Sequence, residues 1–350
     1  MGKISKVVSI VDGIEFTNSI KTTTTIALWN DNTIVWYERR NDNKLNEIHG
    51  KVLSCKRTFI IEKDGKKAVY SLDGYELIPF DNYEYIMEHP YAIEVKKDCM
   101  VAAYSYEGNQ IVPFIAPMIN CGEYGIFIEP FGFVYKGLYS YKGEVIVPKE
   151  YNIRYIDNDI MICSIEDEEN NEVYGMYSHD GDVLIPFEYD SIEQYKKCVL
   201  AEKNKKCGIL SNRGEVLVPF EYYDIRVLDE NNHNYFIVSK ERDFGKGLYK
   251  YTGKEILPPL YDDILYAQGF IITEKDEYFG LYTAGGLELL KPIYNHIRPC
   301  EKDIFFVKTA GGAFYYIASI NRRIYADDVR CIGKEYAQLN DNEWTIIGIY

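Results

Sequence analysis

The sequence predicts an all-β array of about ten repeats, each near 35 residues and built of three or four short strands. Three observations carry this. A proline at the end of an apolar Glu-Val-Leu-Ile-type run recurs at Pro79, Pro113, Pro148, Pro186, Pro219 and Pro258, with Lys291 and Ala326 in the equivalent place later. The successive spacings are 34, 35, 38, 33, 39, 33 and 35, and a fixed period of this size marks a repeat architecture. No stretch keeps a helical period for the roughly ten residues a stable helix needs.

Each unit has the same internal order. A short apolar strand, such as Gly247 to Tyr251, opens it. A turn follows, at Asp73-Gly74, Glu107-Gly108, Lys142-Gly143, Asp180-Gly181, Arg213-Gly214, Thr252-Gly253 and Gly285-Gly286. Glycine is expected there because tight hairpin turns need positive φ. A second strand, such as Glu255 to Leu257, is expected to end at the proline, which cannot donate to a ladder. A Tyr-Asp-x-Ile segment comes next, as in Tyr261 to Ile264, then a third strand such as Phe270 to Thr273, and a polar turn. One such unit cannot bury its own apolar face, so stacking must supply the core.

The whole of residues 1–350 reads as one array. Residues 67–310 are regular, 1–66 hold degenerate N-terminal units, and 311–350 hold a degenerate unit and a final strand. Residues 5 to 17 read as one more worn hairpin, and "GIY" at Gly348 to Tyr350 repeats "GLY" at Gly280 to Tyr282. A closed, propeller-like ring is the preferred arrangement because closure removes exposed strand edges. An open β-solenoid is the alternative, since about 35 residues leaves little room for four strands.

The Gly-Leu-Tyr strand, the Asp-Gly-like turn, the proline-ended strand and the Tyr-Asp-x-Ile segment together resemble the WG-repeat (KWG) family of bacterial proteins. The resemblance implies a β-repeat fold and a bacterial or phage-associated origin, with no shared catalytic residues. The family's Trp before glycine is replaced here by Lys136, Tyr174, Cys207, Lys246 and Phe279.

Composition excludes some partners. A formal net charge of −15 disfavours nucleic acid and anionic membranes, because both need a basic stripe. No apolar run approaches the ~18 residues of a membrane helix. The eight cysteines show no C-x-x-C pair and read as reduced, mostly buried residues of a cytosolic chain. No cofactor or metal motif is present. The five histidines, 49, 89, 179, 233 and 296, have no Cys or His at ligand spacing and read as loop or surface residues.

An Asp or Asn recurs after the proline at Asn152, Asp190, Asp224, Asp262 and Asn295. An Asx-turn capping local N–H groups explains it better than a ring of carboxylates holding a cation, because Asn keeps the turn and loses the charge. Of the 33 tyrosines, two regular sets are expected to pack between units. The candidates for contact with a partner are the irregular residues: Trp29, Trp36 and Trp344 in the worn ends, Glu166, Asp167 and Glu168 in one long loop, and Asp229 and His233 in another. The function expected is a non-catalytic module binding another protein. The rival is an enzyme, or a small-ligand or glycan binder, with a site in a central funnel or groove.

Overall fold

The computed structural model describes residues 9–11, 14–129, 135–157, 159–195, 197–228, 234–242, 244–332, 335–341 and 343–349. Its described elements are all strands, joined by turns. Two compact units divide the chain: residues 1–165 with 176–183, and residues 166–175 with 184–350.

The first unit opens with a hairpin, Ser9–Val11 against Ile14–Phe16. Three four-stranded antiparallel meanders follow. The first holds Asn18–Lys21, Thr25–Trp29, Thr33–Glu38 and Lys44–His49. The second holds Lys51–Cys55, Thr58–Lys63, Lys66–Ser71 and Glu76–Asp81. The third holds Tyr85–Glu88, Ile93–Lys97, Met100–Tyr104 and Gln110–Ala116. A seven-stranded sheet comes next: Met118–Gly122, Gly125–Glu129, Tyr135–Tyr139 and the long strand Val145–Ile156 are counted as the fourth sheet, and Ile160–Glu166, Glu172–Ser178 and Val183–Tyr189 as the fifth, joined through the second half of Val145–Ile156.

Three regular meanders dominate the second unit. The sixth sheet is Ser191–Tyr195, Cys198–Lys203, Lys206–Leu210 and Val216–Tyr222. The seventh is Asp224–Val227, Tyr235–Ser239, Lys246–Lys250 and Glu255–Tyr261. The eighth is Asp263–Ala267, Phe270–Lys275, Tyr278–Thr283 and Glu288–Tyr294. A ninth ends in the short strand Arg322–Ile324, and the tenth has three strands, closing with Glu343–Ile349 against Glu335–Asn340. The final strand therefore caps the strand just before it in sequence.

Four strands fit into about 35 residues because almost nothing separates them. A single residue lies between Tyr222 and Asp224, and another between Tyr261 and Asp263. The Tyr-Asp-x-Ile segment is thus split: its tyrosine ends one sheet and its isoleucine sits in the first strand of the next. Two-residue turns join second and third strands, with both residues at positive φ, as at Asn204-Lys205 and Asp276-Glu277, the signature of a type I′ hairpin.

All seven hairpin glycines have positive φ, between +82° and +90°. They serve packing as well as conformation. A Cβ on Gly253 would lie 2.5 Å from the carbonyl oxygen of Leu217, and one on Gly214 would lie 2.8 Å from that of Leu184. Each of these turns rests on the outer strand of the sheet before it. In the worn first sheet Asp42 takes the glycine's place at φ +57°, within a turn closed by Asp42 N–H donating to the Glu38 carbonyl; Asp tolerates this region better than most residues. Loss of the sequence motif there did not cost the four-stranded sheet.

The prolines do not end their strands. Glu255–Tyr261 runs through Pro258, and the register shifts from Leu248↔Leu257 to Lys246↔Tyr261 across it. Proline is tolerated because it sits in a bulge on an outer strand, where its missing N–H is not needed by a neighbour. The core lies between successive sheets. The two tyrosine sets pack there as expected: Tyr222 meets Tyr249 with hydroxyls 3.0 Å apart, and Tyr261 donates to Tyr282 at 3.2 Å.

Candidate functional site

The third sheet breaks the pattern of its neighbours. Glu94 faces Ala103 across the second and third strands. The register-equivalent residues elsewhere are Ile60, Phe127, Leu200, Ile237, Ile272 and Phe306. All are apolar, whereas Glu94 is a carboxylate only 8% exposed. A buried carboxylate needs partners to offset its desolvation, and it has them. Tyr85, on the adjacent strand, donates its hydroxyl to Oε1. His89 Nε2 lies 2.6 Å from Oε2.

His89 occupies the connection between the first two strands, where its N–H donates to the Ala92 carbonyl. Its own carbonyl accepts from the Tyr106 hydroxyl at 2.6 Å, and the Arg57 guanidinium lies 5.5 Å over the Tyr106 ring. Arg57 also donates to the Pro90 carbonyl. The backbone around the imidazole is therefore held from two sides. A pocket of about 260 Å³ opens here, lined by Lys56, Arg57, Glu88, His89, Pro90 and Tyr106.

Cys121 comes from the first strand of the fourth sheet. Its Sγ, one imidazole nitrogen of His89 and a Glu94 oxygen all lie within 4.8 Å of one another. Burial, and secondarily the Glu94 charge, push the Cys121 thiol up to about 12. A thiol so raised is protonated at neutral pH, which makes it a poor nucleophile. The cluster thus offers three donor atoms of metal-binding type rather than an activated cysteine.

His89 lies in a loop, as expected, yet there it pairs with a buried carboxylate. The sequence distance between His89 and Cys121 hid the cluster. The visible signal was the acid itself: a glutamate inside a strand whose counterparts in six other sheets are apolar. His179 also has a structural partner, with Nε2 2.6 Å from the Asp157 carbonyl oxygen and its ring stacked 4.8 Å from Tyr124.

The predicted contact residues separate into different settings. Trp36 is fully buried, its Nε1 donating to the Leu72 carbonyl at 3.2 Å and its ring 5.5 Å from Phe59. It is a core residue, because a Cβ on Gly74 would touch its indole at 2.8 Å. Trp29 is half-buried against Phe59 at 5.1 Å. Trp344 is 41% exposed, with the Arg330 guanidinium 5.5 Å over its ring. Glu166 and Glu168 are exposed. Asp167 is committed to its own loop: it accepts from the N–H groups of Asn171 and Glu169, and the Asn171 bond leads in holding its carboxyl below the usual range. Asp229 and His233 lie outside the described residues.

At two of the recurring positions after the proline the acid's partner is a backbone N–H well along the chain, not the local one an Asx-turn would use. Asp190 accepts from the Lys205 N–H at 3.1 Å, and Asp262 from the Asp276 N–H at 2.7 Å. Each carboxylate caps the next type I′ turn, because the hairpin folds back beside the first strand and brings the turn to it.

Residues 174–207 and 247–279 match the family model described as the WG containing repeat. No curated protein matches the sequence. Among solved structures, one of the eukaryotic initiation factor is 9% identical, covering 94% of this chain and 89% of that one at a TM-score of 0.29. Hsv2p from Kluyveromyces lactis is 6% identical, covering 74% and 89% at a TM-score of 0.19. BamB from Moraxella catarrhalis is 7% identical, covering 83% and 78% at a TM-score of 0.20. These structural likenesses are loose and carry no argument about function. Each of the two matched stretches holds one of the positive-φ hairpin glycines, Gly181 and Gly253, and these two stretches are WG containing repeats.

Proposed function

We propose that the chain is a non-catalytic module that holds another protein, working in the cytosol of a bacterium or in association with a phage. One observation carries this reading. Two residues after the proline anchor, the outer strands of the fifth and sixth sheets present Glu188 and Glu221 to solvent. At the same place the seventh and eighth sheets present Leu260, 58% exposed, and Ile293, 63% exposed. Leu265 and Leu287 in the same stretch are also exposed. The scaffold position is unchanged while its chemistry turns from acidic to apolar over two consecutive units. Covering one such side chain contributes roughly 1.5–3 kcal/mol, and a partner protein is the surface that supplies such cover on an otherwise acidic molecule. All eight cysteines are free, which supports the cytosolic setting, although only Cys163 and Cys198 are buried and the other six are partly or fully exposed, against the expectation that most are buried.

The test uses photo-crosslinking residues at Leu260 and Ile293 in the native host, beside a double variant Leu260→Glu, Ile293→Glu. Glutamate is what sister units hold there, so the double variant should melt like the wild type. A specific crosslinked protein that the double variant no longer retains in affinity capture is expected. Retention of the same protein by both forms would sink the proposal.

A further inference from the structure

We infer that His89, Glu94 and Cys121 form a binding site for a single transition-metal dication of the zinc type. The donor set is one imidazole nitrogen, one carboxylate oxygen and one sulfur, a combination suited to a borderline-soft ion and poorly suited to calcium or magnesium. Tetrahedral zinc with bonds of about 2.0–2.3 Å places its donors roughly 3.4–3.6 Å apart. The three atoms already lie within 4.8 Å of one another, so side-chain torsions alone can gather them.

Two further observations point to a ligand. The first is the exception in the repeat: Glu94 is buried where six register-equivalent residues are apolar, at a desolvation cost that the fold has no packing reason to bear. The second is the support around the donors. Tyr85 holds Oε1 of Glu94 and leaves Oε2 toward His89, and Tyr106 fixes the backbone that carries the imidazole. Such outer hydrogen bonds orient metal ligands and tune their basicity. The pocket beside His89 opens one of the three donor residues toward solvent. Binding replaces the His89–Glu94 hydrogen bond with two metal bonds, and the proton of that hydrogen bond passes through water to the other nitrogen of the imidazole, which stays neutral. The Cys121 thiol forms a sulfur–metal bond and releases its proton to water. The fourth position is left for a water molecule.

The test is a titration of the purified full chain with Co²⁺ alone after removal of metals by chelation, followed by displacement with Zn²⁺. One equivalent of Co²⁺ should give tetrahedral visible bands and a sulfur-to-cobalt charge-transfer band in the near ultraviolet, both bleached by Zn²⁺. Cys121→Ser should lose the charge-transfer band, and Glu94→Ile should weaken binding at least tenfold. Glu94→Ile installs the residue of the sister units and keeps the fold, which a thermal melt checks. Cys99→Ser, at an exposed thiol away from the cluster, should bind like the wild type. Absence of the charge-transfer band in the wild type, or its persistence in Cys121→Ser, would overturn the site.

Discussion

Replacing Gly253 with alanine separates two reasons for a hairpin glycine. At φ +82° an L-residue costs about 1–2 kcal/mol, offset by about 0.4–1 kcal/mol from the stiffer unfolded chain. The second reason is space: the new Cβ would lie 2.5 Å from the Leu217 carbonyl oxygen and 3.1 Å from its carbon. Neither is the end of a flexible side chain, so the hairpin must retreat from the outer strand beneath it. Retreat loosens the layer in which Leu217 and Tyr251 flank the buried Tyr222, Phe236 and Tyr249. Overpacking of this kind costs about 1–3 kcal/mol. Gly269 is the control. Its φ is +85°, and a Cβ there would meet nothing within 4 Å. Gly269→Ala should therefore lose roughly 1 kcal/mol or less, and Gly253→Ala about 2–4 kcal/mol. Urea midpoints of both variants, compared at unchanged slope, measure the difference. Equal midpoints would refute the close approach of turn to strand.

Two other outcomes follow from side chains that hold turns. Asp73 is pulled upward by burial, but hydroxyls of Thr22, Thr25 and Thr24 donate to its Oδ1 and outweigh that, leaving its carboxyl below the usual value. A depressed folded value stabilises the protein above the unfolded value of about 3.9 and is lost as pH falls through the folded value; melts of Asp73→Asn should lose part of the acid sensitivity of the wild type below about pH 4, and an identical pH profile would contradict the assignment. Asp262→Ala should destabilise by about 1 kcal/mol by uncapping the Asp276 N–H, and Glu277→Gly, which relieves φ +67°, should recover much of that loss in the double variant; a double variant no more stable than Asp262→Ala would show that the cap does not support the strained turn.

Much of the architecture is legible in the chain because its determinants are local. Glycine at one turn position, proline near one strand and alternating Val, Ile and Leu recur at a fixed period, and each states its own backbone preference. The worn first sheet kept four strands, since Asp42 could replace a glycine and Lys44–His49 keeps a register shift without a proline. The repeat's phase was harder. The Tyr-Asp-x-Ile segment reads as one motif, yet the sheet boundary passes through it, because which strand pairs with which is settled by hydrogen bonds between segments. The fate of the tryptophans was hidden for the same reason: Trp36 and Trp344 look alike in sequence, and only the neighbouring Gly74 hairpin encloses one of them.

The sequence by itself determined an all-β repeat of period near 35, the positive-φ glycines and the packing role of the regular tyrosines, since these depend on backbone sterics and on faces that every unit shares. Tertiary structure alone decided that His89, Glu94 and Cys121 meet, and that Asp190 and Asp262 each cap the turn of the next hairpin. Both join groups from different strands, connections or sheets, and the geometry that joins them comes from strand register and the stacking of sheets, which no single repeat contains.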